Sequence, residues 1–279
     1  MLRTLYVAWL LILLGAGFAL SAEFRPDIEY AKVDGESLQL DASIPDGEGP
    51  FPVAILIHGG GWGGGDKARE YVPPTEPLTD AKFTWFSINY RLAPMHRWPA
   101  CIDDVRTAIL WVKKHAAEFK GDPNRIALIG YSAGGHLAAY AAATADGDTR
   151  PQALVLLAGP TDLVADCERR GGVSPSLQAL FQRDVKIDDD VRAILRDASP
   201  IVHVSADTPP CLLIHGTVDV SVLYSQSVNF QAKLKEQGVP CELVTIPGGE
   251  HRMRDWQRLN PEYEHEMIQW LERVLNARQ

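Results

Sequence analysis

The chain has 279 residues, long for an average domain but ordinary for a single α/β domain. Hydrophobic residues make up 46% and charged residues 23%, a globular balance that argues against disorder. A formal charge of −9 argues against a nucleic-acid backbone or an anionic membrane as partner.

The first 22 residues are a different material. Arg3 gives a positive start, residues 5–20 are apolar, and Ala19-Leu20-Ser21-Ala22 puts small residues where a signal peptidase cuts. We expect residues 1–22 to be a cleaved signal peptide and the mature chain to be secreted or periplasmic, without stable membrane insertion. An uncleaved anchor is the alternative, but the apolar run is short for a span of about 20 residues. In an exported chain Cys101, Cys167, Cys211 and Cys241 could form two disulfides in three connectivities. Cys211 and Cys241 each follow a proline and open an apolar run, so buried thiols fit equally well. No pairing is assigned, and no zinc-site spacing is present.

Beyond residue 25 short β-rich runs alternate with longer helical ones, the pattern of a mostly parallel sheet with helices on both faces. Residues 28–33 and 38–44, joined by Asp34-Gly35, predict a hairpin at an antiparallel edge. Six further strands are expected at 52–58, 84–90, 125–130, 153–158, 211–215 and 242–246, making eight in all. Ile102, Val105, Ile109 and Val112 place a helix over 101–119, and Gly121-Asp122-Pro123-Asn124 then predicts a turn. Further helices are expected at 132–145, up to Gly238 from a face marked by Leu223, Phe230 and Leu234, and at 261–275 with its proline first. Residues 161–210, with Gly171-Gly172 and Asp188-Asp189-Asp190, interrupt the alternation and are expected to form a small cap over the site. Residues 23–279 are expected to form one domain.

Gly130-Tyr131-Ser132-Ala133-Gly134 falls directly between a strand and a helix. A serine hydroxyl becomes a nucleophile when it is exposed, rigidly held and beside a base. A G-x-S-x-G turn lifts it above the sheet edge, with a helix amino end aimed at the reacting centre. The bland alternative is a close-packed glycine and alanine helix start. His58-Gly59-Gly60-Gly61-Trp62 follows another strand, and its glycine amides, with the N–H of Ala133, suit an oxyanion hole. A phosphate-cradling loop would need a following Lys-Ser/Thr, which is missing.

An acid and a base should follow in that order. Asp219 closes His215-Gly216-Thr217-Val218-Asp219 at the carboxyl end of one strand, and His251 closes Pro247-Gly248-Gly249-Glu250-His251 after the next. Carboxyl ends of strands are where open α/β sheets bind ligands. Asp162, also just past a strand, is the rival acid. His58 is expected to brace the glycine loop, His136 to pack on the helix after the nucleophile, His215 to end a buried strand, and Glu250 to be a solvated carboxylate. His96, His115 and His265 read as exposed or turn residues, and His203 falls in the cap region.

These residues together resemble the esterase/lipase group of α/β-hydrolases, particularly its acetyl-esterase-like and feruloyl-esterase-like (BD-FAE) members. The resemblance runs from about residue 54 to 270 and rests on HGGGW (58–62), NYRLAP (89–94), the start of the helix at 99–104, DPNRIALIGYSAGGHLA (122–138), SP (199–200), HGTVD (215–219) and His251. It implies an α/β-hydrolase fold in which Ser132, Asp219 and His251 are catalytic and Gly60, Gly61 and Ala133 form the oxyanion hole. It also implies structural roles for Tyr90 and Asp104. Arg252 and Met253 stand where the family commonly has glycine and an aromatic, and Leu223 where many members have proline, which weakens the transfer of substrate preference but does not touch the three reacting groups.

The resemblance, with the expected export, implies acyl transfer from a small acyl or feruloyl ester, with plant polysaccharide as the favoured alcohol, and no cofactor or metal is needed. A small peptidase or amidase of prolyl-oligopeptidase type uses the same order of residues, but this length leaves no room for its propeller. A non-catalytic binding protein of the same fold would require a lost triad member. Acyl length, alcohol partner and oligomeric state stay open at this stage.

Overall fold

The computed structural model describes residues 22–69, 72–184 and 186–277. The expected signal peptide, apart from Ala22, lies outside the described residues. Among them, no helix is long and apolar enough to cross a membrane. The strands are β1 (Glu23–Val33), β2 (Glu36–Ile44), β3 (Phe51–Ile57), β4 (Thr84–Ile88), β5 (Gly121–Tyr131), β6 (Ala153–Leu157), β7 (Cys211–Gly216) and β8 (Cys241–Ile246). They form one sheet in the order β1-β2-β4-β3-β5-β6-β7-β8, antiparallel at β1–β2–β4 and parallel elsewhere.

Helices α1 (Glu76–Asp80), α2 (Ala100–His115) and α3 (Ala133–Ala143) lie between β3 and β6 in the chain. Next come α4 (Leu163–Arg170), α5 (Pro175–Phe181) and α6 (Asp189–Asp197), then α7 (Ser225–Glu236), α8 (Trp256–Leu259) and α9 (Tyr263–Asn276). A strand covered on both faces must be apolar throughout, and period two then divides its side chains between two cores. In β3, Val53, Ile55 and Ile57 join the core under α2, α3 and α7, while Ala54 and Leu56 join the core under α1, α8 and α9.

The strand order decides where a site can be. From β3 the chain goes to β4 on one side and returns to β5 on the other, so the loops after β3 and β5 part company. The crevice opened by such a reversal is where this type of sheet binds ligands. The glycine loop leaves β3 there, and Ser132 leaves β5.

Three expectations change. The turn at 121–124 is extended chain inside β5. Gly121 pairs with Phe51 and Ile126 with Val53, so five residues advance against two and the surplus bulges outward, which accommodates Pro123. The helix over 101–119 ends its α-form at His115 and tightens to a 3₁₀ turn, Ala116–Phe119, closed by Lys120 at φ 54°. The last helix starts at Tyr263, with Pro261 in the turn before it. The irregular stretch 161–210 contains three capped helices: Asp162, Ser174 and Asp188 each accept a backbone N–H at the start of α4, α5 and α6. The four cysteines are free thiols, with Cys211 and Cys241 opposite one another in the β7–β8 register.

One buried ion pair holds the loop after β4 to α2. Asp104 accepts from Arg91 Nη2 at 2.8 Å, from Nε at 2.9 Å and from the Arg91 backbone N–H at 2.8 Å. The carboxylate is 2% exposed and the guanidinium 11%. Breaking such a pair leaves one charge unmatched, although Asp34 at 4.0 Å gives Arg91 partial relief. Asp104→Ala is therefore expected to lower the unfolding free energy by about 3 kcal/mol. Urea denaturation at pH 7 measures this, and a midpoint unchanged from wild type would refute it.

Candidate active site

Ser132 sits alone between β5 and α3 with φ 53° and ψ −118°, a backbone that a β-carbon resists. Its N–H donates to Leu157 O at 2.9 Å and its carbonyl accepts from His136 N at 3.0 Å, so the strained turn is tied to β6 and to α3. Gly134 lets the helix approach β3: a β-carbon there would collide with the carbonyls of Ile57 and His58. Close seating of α3 aims the side chain of Ser132 away from the core.

The loop after β3 is braced from below. His58 is buried, stacks on Tyr90 with ring centroids 4.3 Å apart, and its Nδ1 lies 2.7 Å from Gly59 O. The Tyr90 hydroxyl donates to His58 O at 3.0 Å. Trp62 donates from Nε1 to His136 Nδ1 at 3.2 Å, and His136 Nε2 donates to Ala198 O at 2.8 Å. The Gly60 and Gly61 N–H groups have no acceptor among the described residues. Ala133 is the first residue of α3, whose leading N–H groups lack intrahelical partners. Gly60, Gly61 and Ala133 all line the cavities that meet at Ser132.

The loops after β7 and β8 are stitched to each other. Thr217 N donates to Ile246 O and Val218 N to Gly249 O, both at 3.1 Å, and Gly248 N donates to Thr217 Oγ1 at 2.9 Å. A β-carbon on Gly216 would strike the Gly249 carbonyl, so glycine is required for this approach. His251 is pinned by its backbone: Tyr131 Oη donates to His251 O at 2.8 Å, and the buried Trp256 donates from Nε1 to Glu250 O at 2.8 Å. Tyr131 also stacks on the imidazole at 5.4 Å.

With the loops so held, His251 Nε2 lies 2.8 Å from Ser132 Oγ, and His251 Nδ1 lies 2.7 Å from Asp219 Oδ2. Asp219 Oδ1 accepts from the N–H groups of Ser221 and Val222 at 2.8 and 2.9 Å. Burial by itself would raise the Asp219 carboxyl. Hydrogen bonds from His215 and His251, the charge His251 can carry and the Val222 N–H outweigh it and hold the group well below the usual carboxylate range.

Asp162, the rival acid, spends its carboxylate on capping α4 through Ala165 N at 3.0 Å. Glu250 is exposed, His96 and His115 pair with Glu36 and Glu118, and His265 bonds Gln269. His203 bonds Asp197 O and meets Tyr140 edge-on. Sequence reasoning missed the contact of His215 with Asp219 and the Trp62–His136–Ala198 link. It also missed Ser176 of α5, which faces Gly61, because a serine just past a helix start carries no signal of its own.

Two cavities meet at Ser132. One, of about 290 Å³, is lined by Trp62, Leu163, Leu177 and Val222 together with the charged Asp166 and Arg170. The other, of about 500 Å³, is mixed in character, with Tyr131, Ser176, Ser221 and Arg252 around loop glycines. Among the described residues, no group of three or more His, Cys, Asp or Glu is arranged to hold a metal ion.

The BD-FAE family profile matches residues 40–234. The chain belongs to the BD-FAE family. It is 36% identical over 217 residues to the "Probable carboxylic ester hydrolase LipM" of Mycobacterium tuberculosis, covering 73% of this chain and 49% of that protein. Esterase LipC of the same organism is 35% identical over 216 residues, covering 72% and 53%. The chain thus spans about half the length of these curated relatives. Among solved structures, a truncated carbohydrate esterase from gut microbiota superposes with TM-score 0.78 at 27% identity, covering 92% of this chain and 97% of that one. The acetyl ester-xyloside bifunctional hydrolase of Caldicellulosiruptor lactoaceticus gives 0.75 at 26%, covering 93% and 98%. This BD-FAE chain therefore shares the α/β-hydrolase fold of those esterases across nearly all of its described residues.

Burial of His136 pulls its imidazole down to about 4, only partly offset by its bond to Ala198 O. The unfolded chain takes up this proton near 6.5, so His136 adds stability that is complete above that pH and is lost as pH falls from 6.5 towards 4. By pH 5 the loss from this one group is about 2 kcal/mol. Urea unfolding at pH 7 and pH 5 is expected to show that difference in wild type and to show it reduced by as much in His136→Asn; identical pH dependence in the two proteins would contradict it.

Proposed function

We propose that this protein is an exported carboxylic ester hydrolase that works through an acyl-enzyme on Ser132, with His251 as base and Asp219 as the acid that orients it. The observation that carries the proposal is the unbroken chain of short contacts from hydroxyl to imidazole to buried carboxylate, 2.8 and 2.7 Å long. Each polar atom in it has a partner suited to one protonation state. Asp219 is acceptor only, so it holds the His251 hydrogen on Nδ1 and leaves Nε2 free to take a proton from Ser132.

Attack of Ser132 Oγ on the ester carbonyl would move the hydroxyl proton to His251 and negative charge to the carbonyl oxygen. The N–H groups of Gly60, Gly61 and Ala133 would receive that charge, each donor contributing about 3 kcal/mol of transition-state stabilisation. His251 would then protonate the departing alcohol. Water activated by the same ring would release the acid and restore Ser132.

The two cavities suggest how the ester lies. The smaller, the more apolar of the two, suits a short acyl group, acetyl before longer chains, with the flat feruloyl group as the other candidate. The larger, with Ser176, Ser221 and Arg252 in its wall, suits a hydroxyl-rich alcohol such as a sugar. The carbohydrate esterase and acetyl ester-xyloside hydrolase among the structural relatives support a carbohydrate alcohol, and the apolar leader supports export.

A panel of p-nitrophenyl acetate, butyrate and octanoate, methyl ferulate, acetylated xylo-oligosaccharide and dipeptide anilides tests this. Acetyl and butyryl esters are expected to turn over at least about tenfold faster than octanoyl, since each misplaced methylene in a tight pocket is costly. The anilides should not react, and Ser132→Ala should lower kcat by on the order of 10⁶. Faster cleavage of anilides than of esters would replace esterase with peptidase. Ester hydrolysis undiminished in Ser132→Ala would remove the proposal.

A further inference from the structure

Asp219 Oδ2, the oxygen that faces the base, has a second imidazole on it. His215 ends β7, is fully buried, and places Nε2 3.2 Å from Asp219 Oδ2 and 2.9 Å from Val222 O. Neither of those oxygens can donate, so the His215 hydrogen is on Nε2 and is shared between them. Its other nitrogen, Nδ1, lies 2.7 Å from Ser227 Oγ on α7, and the buried hydroxyl donates to it. The two acceptor-only oxygens therefore select the tautomer that His215 presents to Asp219, and the Ser227 hydroxyl, able to donate or accept, fills the remaining lone pair.

The division of labour on the carboxylate is uneven. Oδ1 is held by two backbone N–H groups of its own loop, at 2.8 and 2.9 Å. Oδ2 is held by side chains only, His251 at 2.7 Å and His215 at 3.2 Å. Without His215 nothing among the described residues would fix Oδ2 from the side away from the base. His215 also belongs to β7, whereas Asp219 and His251 are both on loops.

We propose that His215, with its tautomer set by its two acceptor oxygens and its ring tied to α7 through Ser227, is a positioning residue for the acid: its Nε2–H keeps Asp219 Oδ2 aimed at His251 Nδ1 when the base becomes charged. The inference rests on the triad reading above. It extends the hydrogen-bonded line from three residues to five, Ser227–His215–Asp219–His251–Ser132, anchored at its far end on α7. A ring that only filled space would do none of this.

The test compares His215→Phe, which keeps a ring but has no donor, with His215→Gln, whose amide nitrogen can occupy the place of Nε2. With p-nitrophenyl acetate, His215→Phe is expected to lose about 10- to 100-fold in kcat with KM within about twofold, the signature of lost alignment rather than lost binding. His215→Gln should recover most of that loss. In the resting protein, without substrate, the low-field proton resonance of the His251–Asp219 bond should shift or broaden in His215→Phe and persist in His215→Gln. Should His215→Phe fail to fold, His215→Leu, also without a donor, takes its place, with the same fall in kcat and the same resonance change expected. Wild-type kcat in the folded donor-free variant, or equal losses in Phe and Gln with the resonance unchanged, would overturn the proposal. Because the resonance is read without turnover, a protein with no esterase activity at all would count against the triad reading and be told apart from failure here.

Discussion

Ser132 holds a backbone conformation that its own β-carbon opposes, at a point where β5 must stop and α3 must start within one residue. A single non-glycine residue in that region costs of order 1–3 kcal/mol, and it persists only where its surroundings leave no alternative. Here the surroundings are two backbone bonds, one to β6 and one within α3, and a helix seated so close to β3 that Gly134 has no space for a side chain. The rest of the site follows from this strained point. The serine is lifted above the sheet, the first N–H of α3 comes beside it, and the glycine loop from β3 lies across the crevice next to it. Relaxing the turn would separate all three.

His251 and Asp219 arrive by a different physical route. Their loops are not strained but laced together by backbone bonds between Thr217, Val218, Ile246 and Gly249. The buried Trp256 and the Tyr131 hydroxyl then fix the backbone on either side of the imidazole. A charged carboxylate in such a place is costly unless its oxygens are satisfied. Asp219 has four donors, which is why burial does not neutralise it. Pre-aligned dipoles of this kind lose little by reorganising when charge moves, and in many hydrolytic sites they are the largest contribution to rate.

Much of this was legible in the sequence because it is written in local patterns. Continuous apolar runs such as 53–57 and 126–129 announce strands covered on both faces, and Gly130 to Gly134 announces the turn between strand and helix. The spacing of Asp219 and His251 after successive strands put both on one rim, because parallel strands bring their carboxyl ends together. What escaped was long-range or easily misassigned. Asp188-Asp189-Asp190 looked like irregular acidic chain, yet Asp188 caps α6 and the two that follow stabilise its first turn. The extended path of 121–124 depends on β3 lying alongside, which four strong turn formers do not reveal. His215 was read as the end of a buried strand, which it is, but its second partner lies on α7 and its third on the acid loop.

The account depends on one serine being activated by this alignment. Incubation with a fluorophosphonate followed by peptide mapping measures that directly, because the reagent reacts with activated serine hydroxyls and not with ordinary ones. The prediction is a single adduct on Ser132, formed rapidly at neutral pH and absent when His251 is replaced by alanine. An unlabelled wild-type protein, or an adduct on any other serine, would contradict it.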